Sequence, residues 1–125
     1  MKILIVDDDM VYRFVASRMM SIIDSSLAIE ESENGQKGLA NLENQKDSDL
    51  RTVVLLDINM PILDGWGFLE QLKKDSFYQL SQLEIYMVSS STNESDILKA
   101  KQFDFIKGFI HKPLSEENIR AIIAS

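Results

Sequence analysis

The sequence predicts one α/β domain spanning residues 1–125, in which helices cover both faces of a five-stranded parallel sheet with strand order 2-1-3-4-5. Short apolar runs alternate with amphipathic stretches roughly five times along the 125 residues, which is typical of strands joined by crossover helices. Right-handed crossovers then give a doubly wound sheet, and 2-1-3-4-5 is the common order at this size. The length also fits a single domain.

The central strand is predicted at Thr52 to Leu56, an apolar run followed by Asp57 and by a turn that Pro61 closes. Such a run indicates a strand that is buried on both faces. The carboxyl ends of parallel strands meet at one edge of the sheet, where ligand crevices open. Asp57 is therefore predicted at a binding edge.

The first strand, Lys2 to Val6, also ends in acidic residues, Asp7, Asp8 and Asp9. We expect Asp9 to cap the helix that follows from Met10. Apolar residues recur there at three- and four-residue steps, which predicts the face that packs on the sheet. These residues are Val11, Phe14, Val15, Met19, Ile22 and Ile23.

The remaining elements follow in the same alternation. The predicted elements are a strand at Leu27 to Ser32, a helix after Asn34-Gly35, a linker at Asn44 to Arg51, a helix from Trp66 to Lys74 after a turn or cap at Asp64-Gly65, a strand at Leu83 to Val88, a helix at Asn93 to Lys101, a strand at Phe109 to His111, and a closing helix from Ser115 to Ala124 with Ile119, Ile122 and Ile123 inward. The Asn93 to Lys101 helix has few apolar anchors, namely Ile97, Leu98 and Ala100, so we expect it to move.

The composition excludes several classes of function. The chain has no cysteine, so disulfides and thiolate metal sites are absent and a reducing compartment is expected. A net charge of −7 opposes direct binding to nucleic acid. No apolar run approaches the roughly 20 residues of a membrane span. We therefore expect a cytoplasmic protein that binds neither membrane nor nucleic acid.

Three carboxylates are predicted to meet at the sheet edge, because the first and third strands are neighbours. Asp7, Asp8 and Asp57 would repel one another unless a proton or cation relieves them. Magnesium suits this set, since all ligands are oxygens and the site is open. The alternative is that acidic residues here only cap helices, which we favour for Asp9 alone.

Two further strand ends contribute Ser89 and Lys112 to the same edge. A carboxylate nucleophile, a cation, a hydroxyl and an ammonium together suit phosphoryl transfer, with Asp57 forming an aspartyl phosphate. Alone, a serine after a strand is usually a turn residue and a lysine before proline is usually a surface residue. His111, the only histidine, is expected to face neighbouring helices.

The whole chain resembles the receiver domain of a two-component response regulator, of the single-domain, chemotaxis-regulator type with a flavodoxin-like fold. The matching motifs are Ile5-Val6-Asp7-Asp8-Asp9, Leu55-Leu56-Asp57-Ile58-Asn59-Met60-Pro61 with Asp64-Gly65, Met87-Val88-Ser89-Ser90, and Phe109-Ile110-His111-Lys112-Pro113. Four ordered motifs at compatible spacing make the resemblance specific.

The resemblance implies that Asp57 receives phosphate from a histidine kinase or phosphotransfer protein. It implies magnesium bound by Asp8, Asp57 and the main-chain carbonyl of Asn59, with Asp7 assisting through water. Ser89 and Lys112 would contact the phosphoryl oxygens.

By the same resemblance, Phe109 would change rotamer as the aromatic switch, and the bond before Pro113 is usually cis. The usual Gly-Ala pair before the last strand is replaced here by Phe105-Ile106, so the partner geometry does not transfer. Asn59 and Ser91 occupy places that tune phosphate lifetime. For Phe109 the alternative is simple core packing.

Two other functions compete with this interpretation. Asp7-Asp8-Asp9-Met10-Val11 also fits the opening motif of haloacid-dehalogenase-like phosphatases, with Asp7 as nucleophile and Asp9 as acid, but the later acidic strand residues and the lid are missing. A flavodoxin-like binding module is favoured by topology alone, and no Gly-rich phosphate loop follows the first strand.

Output is expected to pass through another protein. After Lys112-Pro113 the sequence predicts one helix and no DNA-reading element, which fits a stand-alone regulator or a receiver cut from a longer chain. We expect a monomer or a phosphorylation-dependent dimer that acts on an unknown output protein.

Overall fold

The computed structural model describes residues 1–44, 50–75, 82–90 and 93–124. Within these ranges strands and helices alternate strictly along the chain. The elements are β1 (Lys2–Val6), α1 (Met10–Ile23), β2 (Ala28–Ser32), α2 (Gly35–Glu43), β3 (Thr52–Asp57), α3 (Gly65–Asp75), β4 (Leu83–Ser89), α4 (Glu94–Ala100), β5 (Ile106–His111) and α5 (Glu116–Ala124). No helix in the described part of the chain is long and apolar enough to cross a bilayer.

The sheet has the order β2-β1-β3-β4-β5 with every pairing parallel, which confirms the predicted fold class. In the β1–β3 pairing, Val6 lies opposite Leu56. The residues that follow them are Asp7 and Asp57. Both acidic residues therefore leave the same edge of the sheet from adjacent strands.

The two faces of the sheet form separate apolar clusters. Every residue of β1 and β3 is buried, as expected for central strands with helices on both sides. The first cluster joins the sheet to α2 and α3 and includes Leu4, Val6, Leu42, Val54, Leu56, Phe68, Leu69 and Leu72. The second joins it to α1 and α5 and includes Ile3, Ile5, Ala16, Met20, Val53, Leu55, Ile119 and Ile122.

The predicted inner face of α1 is wrong in part, since Met19 and Ile23 contact the core but the other four predicted residues do not. Val11, Phe14 and Ile22 are 68%, 63% and 79% exposed, and Val15 is also exposed. The residues that contact the core are Tyr12, Ala16, Met19, Met20 and Ile23. Both sets recur at helical spacing, so periodicity alone does not decide which face turns inward.

Three smaller predictions also need correction. The last strand begins at Ile106, three residues before the predicted Phe109, because Ile106 already pairs with Ile85, ahead of a register shift between Ile85 and Tyr86. In α4, Leu98 is 58% exposed and does not anchor the helix, whereas Ala100 is buried. His111 is exposed rather than turned toward the helices.

Some predictions fall outside the described residues. They concern Ser91 and most of the Asn44 to Arg51 linker.

Candidate functional site

The three carboxylates that were predicted to meet do lie together. One carboxylate oxygen from each of Asp7, Asp8 and Asp57 lies within 4.8 Å of the others. Asp7 and Asp57 are buried, while Asp8 is exposed to solvent. The cluster thus has two buried acids and an open side, and its donors are all oxygens, the ligand type that suits magnesium.

Hydrogen bonds hold Asp7 and the loop after β1 in place. The Asp7 carboxylate accepts from the backbone N–H of Asp9 at 2.9 Å, and its carbonyl accepts from the Arg13 guanidinium at 2.6 Å. The Asp9 side chain accepts from the backbone N–H of Tyr12 at 3.1 Å. Asp9 is therefore the N-cap of α1, as predicted. That bond engages one oxygen of the carboxylate which the phosphatase alternative would need as its acid.

Lys112 connects β5 to the acidic cluster. Its ammonium donates to Asp7 at 2.6 Å and lies 3.5 Å from a carboxylate oxygen of Asp57. Its backbone N–H donates to the carbonyl of Ser89 at 2.8 Å, which ties the segment after β5 to the end of β4. The peptide bond between Lys112 and Pro113 is cis, as the resemblance implied.

The acidic cluster shifts the protonation of its members. Burial and then the Asp7 carboxylate raise the pKa of Asp57 from 3.8 to about 6, although Lys112 opposes the shift. For Lys112, burial acts to lower the pKa, but the carboxylates of Asp7 and Asp57 outweigh it and leave the pKa above its ordinary value. Asp57 therefore carries its negative charge at a cost that a bound cation would reduce.

The other predicted site residues lie at the same edge or one step inside it. Ser89 is buried at the end of β4, one residue beyond Val88, which pairs with Asp57. Asn59 is exposed two residues after Asp57. Phe109 pairs with Met87 inside the sheet and packs against the α2–α3 side of the core. The serine thus ends the strand beside Asp57 and the lysine directly follows β5, whereas Phe109 lies further from the edge, opposite Met87.

Sequence reasoning missed Tyr12, whose ring centroid lies 4.4 Å from the Lys112 ammonium. It was missed because, in the first turns of α1, Val11, Phe14 and Val15 were predicted to face the core rather than Tyr12 and Ala16. The predicted cap at Asp9 could have indicated Tyr12. A capping side chain accepts from the backbone N–H two or three residues later, so Tyr12 had to lie in the first turn of α1, close to the sheet edge.

Gly65 is a second residue whose role the sequence did not predict. The sequence placed it only at a turn or cap. A Cβ atom at this position would lie 2.5 Å from the carbonyl oxygen of Asp57, and the Gly65 N–H donates to the carbonyl of Ile58 at 2.8 Å. Asp64 accepts from the N–H of Gly67 at 2.8 Å, which confirms a cap. Glycine lets the start of α3 abut the backbone of the site.

Comparison with known proteins agrees with this geometry. A family profile described as the response regulator receiver domain matches residues 3–124. The chain belongs to this family. It is a receiver domain of two-component signalling, and receiver domains act as signalling switches.

Relatives of this receiver domain differ in their overall length. The chain is 31% identical over 118 residues to protein PilH of Pseudomonas aeruginosa, covering 94% of this chain and 90% of that protein. It is 30% identical to a probable transcriptional regulator, ycf27, of Guillardia theta, covering 98% of this chain but 43% of the relative. The chain therefore spans less than half the length of some curated relatives it matches.

Solved structures share the fold. A two-component response regulator from Legionella pneumophila is 26% identical, with a TM-score of 0.83 and coverage of 98% of this chain and 95% of that one. A response regulator from Cytophaga hutchinsonii reaches a TM-score of 0.87 at 21% identity, covering 98% and 93%, and so shows the fold alone.

Proposed function

We propose that this receiver domain is a phosphoacceptor in which Asp57 takes a phosphoryl group from a phosphohistidine of a histidine kinase or phosphotransfer protein. An Asp57 carboxylate oxygen forms the new P–O bond, the P–N bond breaks, and the imidazole nitrogen keeps the electron pair. The observation that carries the proposal is the position of Asp57, which lies beside the carboxylates of Asp7 and Asp8 and 3.5 Å from the Lys112 ammonium.

The residues present fit a magnesium ion. Its ligands would be the carboxylates of Asp8 and Asp57 and the main-chain carbonyl of Asn59, while Asp7 would act through water. Bound magnesium would supply positive charge against the phosphoryl oxygens. This set relieves the repulsion that the clustered carboxylates otherwise impose on one another.

Lys112 and Ser89 would complete the phosphoryl site. The lysine ammonium already lies between Asp7 and Asp57, so a small displacement places it against a phosphoryl oxygen on Asp57. The Ser89 hydroxyl would donate to another oxygen from the neighbouring strand. The only chemistry we assign to the domain is the gain and loss of its own phosphoryl group.

Phosphorylation would reach a partner through Phe109. This half-buried side chain lines a surface groove with Ile97, Ala100, Phe103 and Gly108, between α4 and β5. As Ser89 moves toward the phosphoryl group, the Phe109 ring would fill the vacated space and change the shape of the groove. We propose that the surface of α4, β5 and α5 docks the output protein.

Labelling with a small phosphodonor tests the phosphoacceptor role. We expect acetyl phosphate and Mg²⁺ to add one labile phosphoryl group, detected as intact mass, and EDTA to prevent it. Asp57→Asn should abolish the label. Asp9→Asn is the matched control, since it changes an acid of the same loop and keeps an amide that can cap α1.

The opposite pattern would reject the proposal. Hydrolysis of phosphate esters that survives Asp57→Asn and is lost in Asp7→Asn would favour the phosphatase alternative.

The switch has a separate test by NMR. Beryllofluoride mimics the phosphoryl group, and we expect it to shift the amide resonances of Ile97 and Gly108 in the native protein. Ser89→Ala should bind beryllofluoride but leave these resonances in place. Equal shifts in both proteins would contradict the proposed Ser89–Phe109 coupling.

The phosphodonor protein would approach over the outer face of α1. This helix begins directly after Asp8 and Asp9, at the mouth of the site, and its exposed side is apolar at Met10, Val11 and Phe14. A donor that brings phosphohistidine to Asp57 must cover this edge of the sheet. Exposed apolar side chains there offer it surface to bury.

A panel of purified histidine kinases can test this approach. For the kinase that transfers fastest, we expect Phe14→Gln to slow transfer and leave labelling by acetyl phosphate unchanged. Ile22→Gln, at the far end of the same exposed face, is the matched control. If Phe14→Gln slowed transfer from the kinase and labelling by acetyl phosphate equally, the substitution would act on the phosphorylation site and not on a docking surface.

A further inference from the structure

The ammonium of Lys112 is enclosed on more than one side. Asp7 accepts from it at 2.6 Å, Asp57 lies at 3.5 Å, and the centroid of the Tyr12 ring lies at 4.4 Å. The Lys112 side chain is 19% exposed. Two carboxylates and one aromatic face therefore surround most of the cation.

Tyr12 is held in place independently of its hydroxyl. Its backbone N–H donates to the Asp9 cap, which fixes the first turn of α1. Its ring packs against the apolar cluster between the sheet, α1 and α5. Among the described residues, the buried phenol oxygen has no hydrogen-bond partner. The ring, rather than the hydroxyl, makes the contact with the site.

The charge distribution of the ring suits this contact. An aromatic face attracts a cation, and the attraction is strongest where water is excluded. Burial and then the carboxylates of Asp7 and Asp57 hold the pKa of the Tyr12 phenol above its ordinary value. The phenol therefore stays neutral at physiological pH and presents an electron-rich face to Lys112.

We propose that Tyr12 is a positioning residue, whose ring face holds the Lys112 ammonium between Asp7 and Asp57, where the lysine contacts a phosphoryl group on Asp57. This role rests on the proposed function, because it assigns Tyr12 a part in the phosphorylation of Asp57. Lysine is a flexible side chain, so a fixed aromatic face restricts where its charge lies. An aliphatic residue would fill the same space without holding the cation.

Two substitutions distinguish the effect of the aromatic face of Tyr12 from the effect of its volume. Tyr12→Phe keeps the aromatic face, and Tyr12→Leu keeps only apolar volume. Each is made in the native protein and in Lys112→Met, and the initial rate of labelling by acetyl phosphate is measured at saturating Mg²⁺. We expect Tyr12→Phe to label at the native rate and Tyr12→Leu to label about tenfold more slowly, a factor between those of exposed and fully desolvated cation–π contacts.

The Lys112→Met background shows whether Tyr12 acts through the lysine. There we expect Tyr12→Leu to have no further effect. An equal tenfold loss in the Lys112→Met background would mean that Tyr12 contributes through packing alone. If Tyr12→Leu in the otherwise native protein labelled at the native rate, Tyr12 would have no role in labelling. If Tyr12→Phe were as slow as Tyr12→Leu, the hydroxyl rather than the ring face would be responsible.

A measurement without phosphodonor tests the contact by itself. The ring current of Tyr12 should move the Lys112 ε-methylene proton resonances upfield in the native protein and in Tyr12→Phe but not in Tyr12→Leu. If the native protein took no phosphoryl group, the proposed function would fail, and this shift would still decide the contact. Identical Lys112 resonances in all three proteins would overturn the inference.

Discussion

Among single residues, Ile62 has the least favourable backbone conformation. Its φ of 70° lies in the left-handed region, which β-branched residues rarely adopt, and its side chain is 77% exposed. Exposure leaves little packing to offset the strain. We expect Ile62→Gly to raise the free energy of unfolding by about 1 kcal/mol, measured by urea denaturation.

Ile62→Val is the matched control for this prediction, since it keeps the β-branch and should leave the stability unchanged. A glycine variant no more stable than the native protein would show that Ile62 carries no strain at this position.

Asp57 gives a second prediction, which concerns pH. Its pKa is raised from 3.8 to about 6 in the folded state, so the folded protein binds this proton more tightly than the unfolded chain does. Ionisation of Asp57 therefore lowers stability as pH rises through that window. Asp57→Asn removes the effect, and in EDTA it should be more stable than the native protein by on the order of 2 kcal/mol above about pH 7.

The stability gap between the two proteins decides this prediction. It should shrink as pH falls toward about 3, where Asp57 is largely protonated in both the folded and the unfolded state. Chemical denaturation of both proteins across this range measures the gap. A gap independent of pH would show that burial and Asp7 do not perturb Asp57.

Site residues differ in how far sequence predicts them. Asp57 ends β3 and Lys112 directly follows β5, so parallel topology alone brings them to one edge. Tyr12 lies on a helix, and its contact with Lys112 depends on which face of α1 turns inward. Gly65 matters because of a 2.5 Å approach to the Asp57 carbonyl, which no local pattern specifies.

At the scale of elements, α1 carries apolar residues on more than one face, and the buried face differs in part from the predicted one. Met20 is 2% exposed, whereas Phe14 is 63% exposed. We expect Met20→Ala to lower the free energy of unfolding by about 2–5 kcal/mol, because it leaves a cavity in the core. Phe14→Ala, the matched variant on the outer stripe, should stay within about 0.5 kcal/mol of the native protein. Urea denaturation of both variants measures the difference.

A larger loss of stability in Phe14→Ala than in Met20→Ala would instead support the inner face of α1 that the sequence predicted. That prediction failed in part because α1 carries several exposed apolar residues, which add to the periodic signal without contributing to the core. The capping residue Asp9 was predicted correctly, since a cap depends on local backbone groups alone.

For the whole molecule, strand order followed from alternation and handedness, which are global rules that few sequences break. The groove between α4 and β5 did not follow from them. Its shape depends on side chains such as Phe103 and Phe109, and on a register irregularity in the β4–β5 pairing that sequence does not reveal. Topology therefore predicts which side chains meet at the carboxyl edge of the sheet better than it predicts the shape of the groove between α4 and β5.

Magnesium gives the prediction that involves the whole molecule. Because the carboxylates meet only when β1 and β3 pair, the unfolded chain lacks the site, and Mg²⁺ should stabilise the folded state by linkage. At about 100 times its dissociation constant the gain in unfolding free energy is about 2.7 kcal/mol. Asp57 must lose its proton to bind the ion, so the gain should weaken as pH falls below about 6.

Substitutions at the two exposed acids of the β1–α1 loop distinguish this site from general charge screening. Asp8→Asn should lose most of the gain, because Asp8 offers one of the clustered oxygens. Asp9→Asn should keep it, because Asp9 serves as a helix cap. Thermal denaturation at constant ionic strength, with NaCl replacing MgCl₂, measures the specific part. An equal gain in Asp8→Asn, or one that NaCl reproduces, would mean that the ion only screens the net charge of −7.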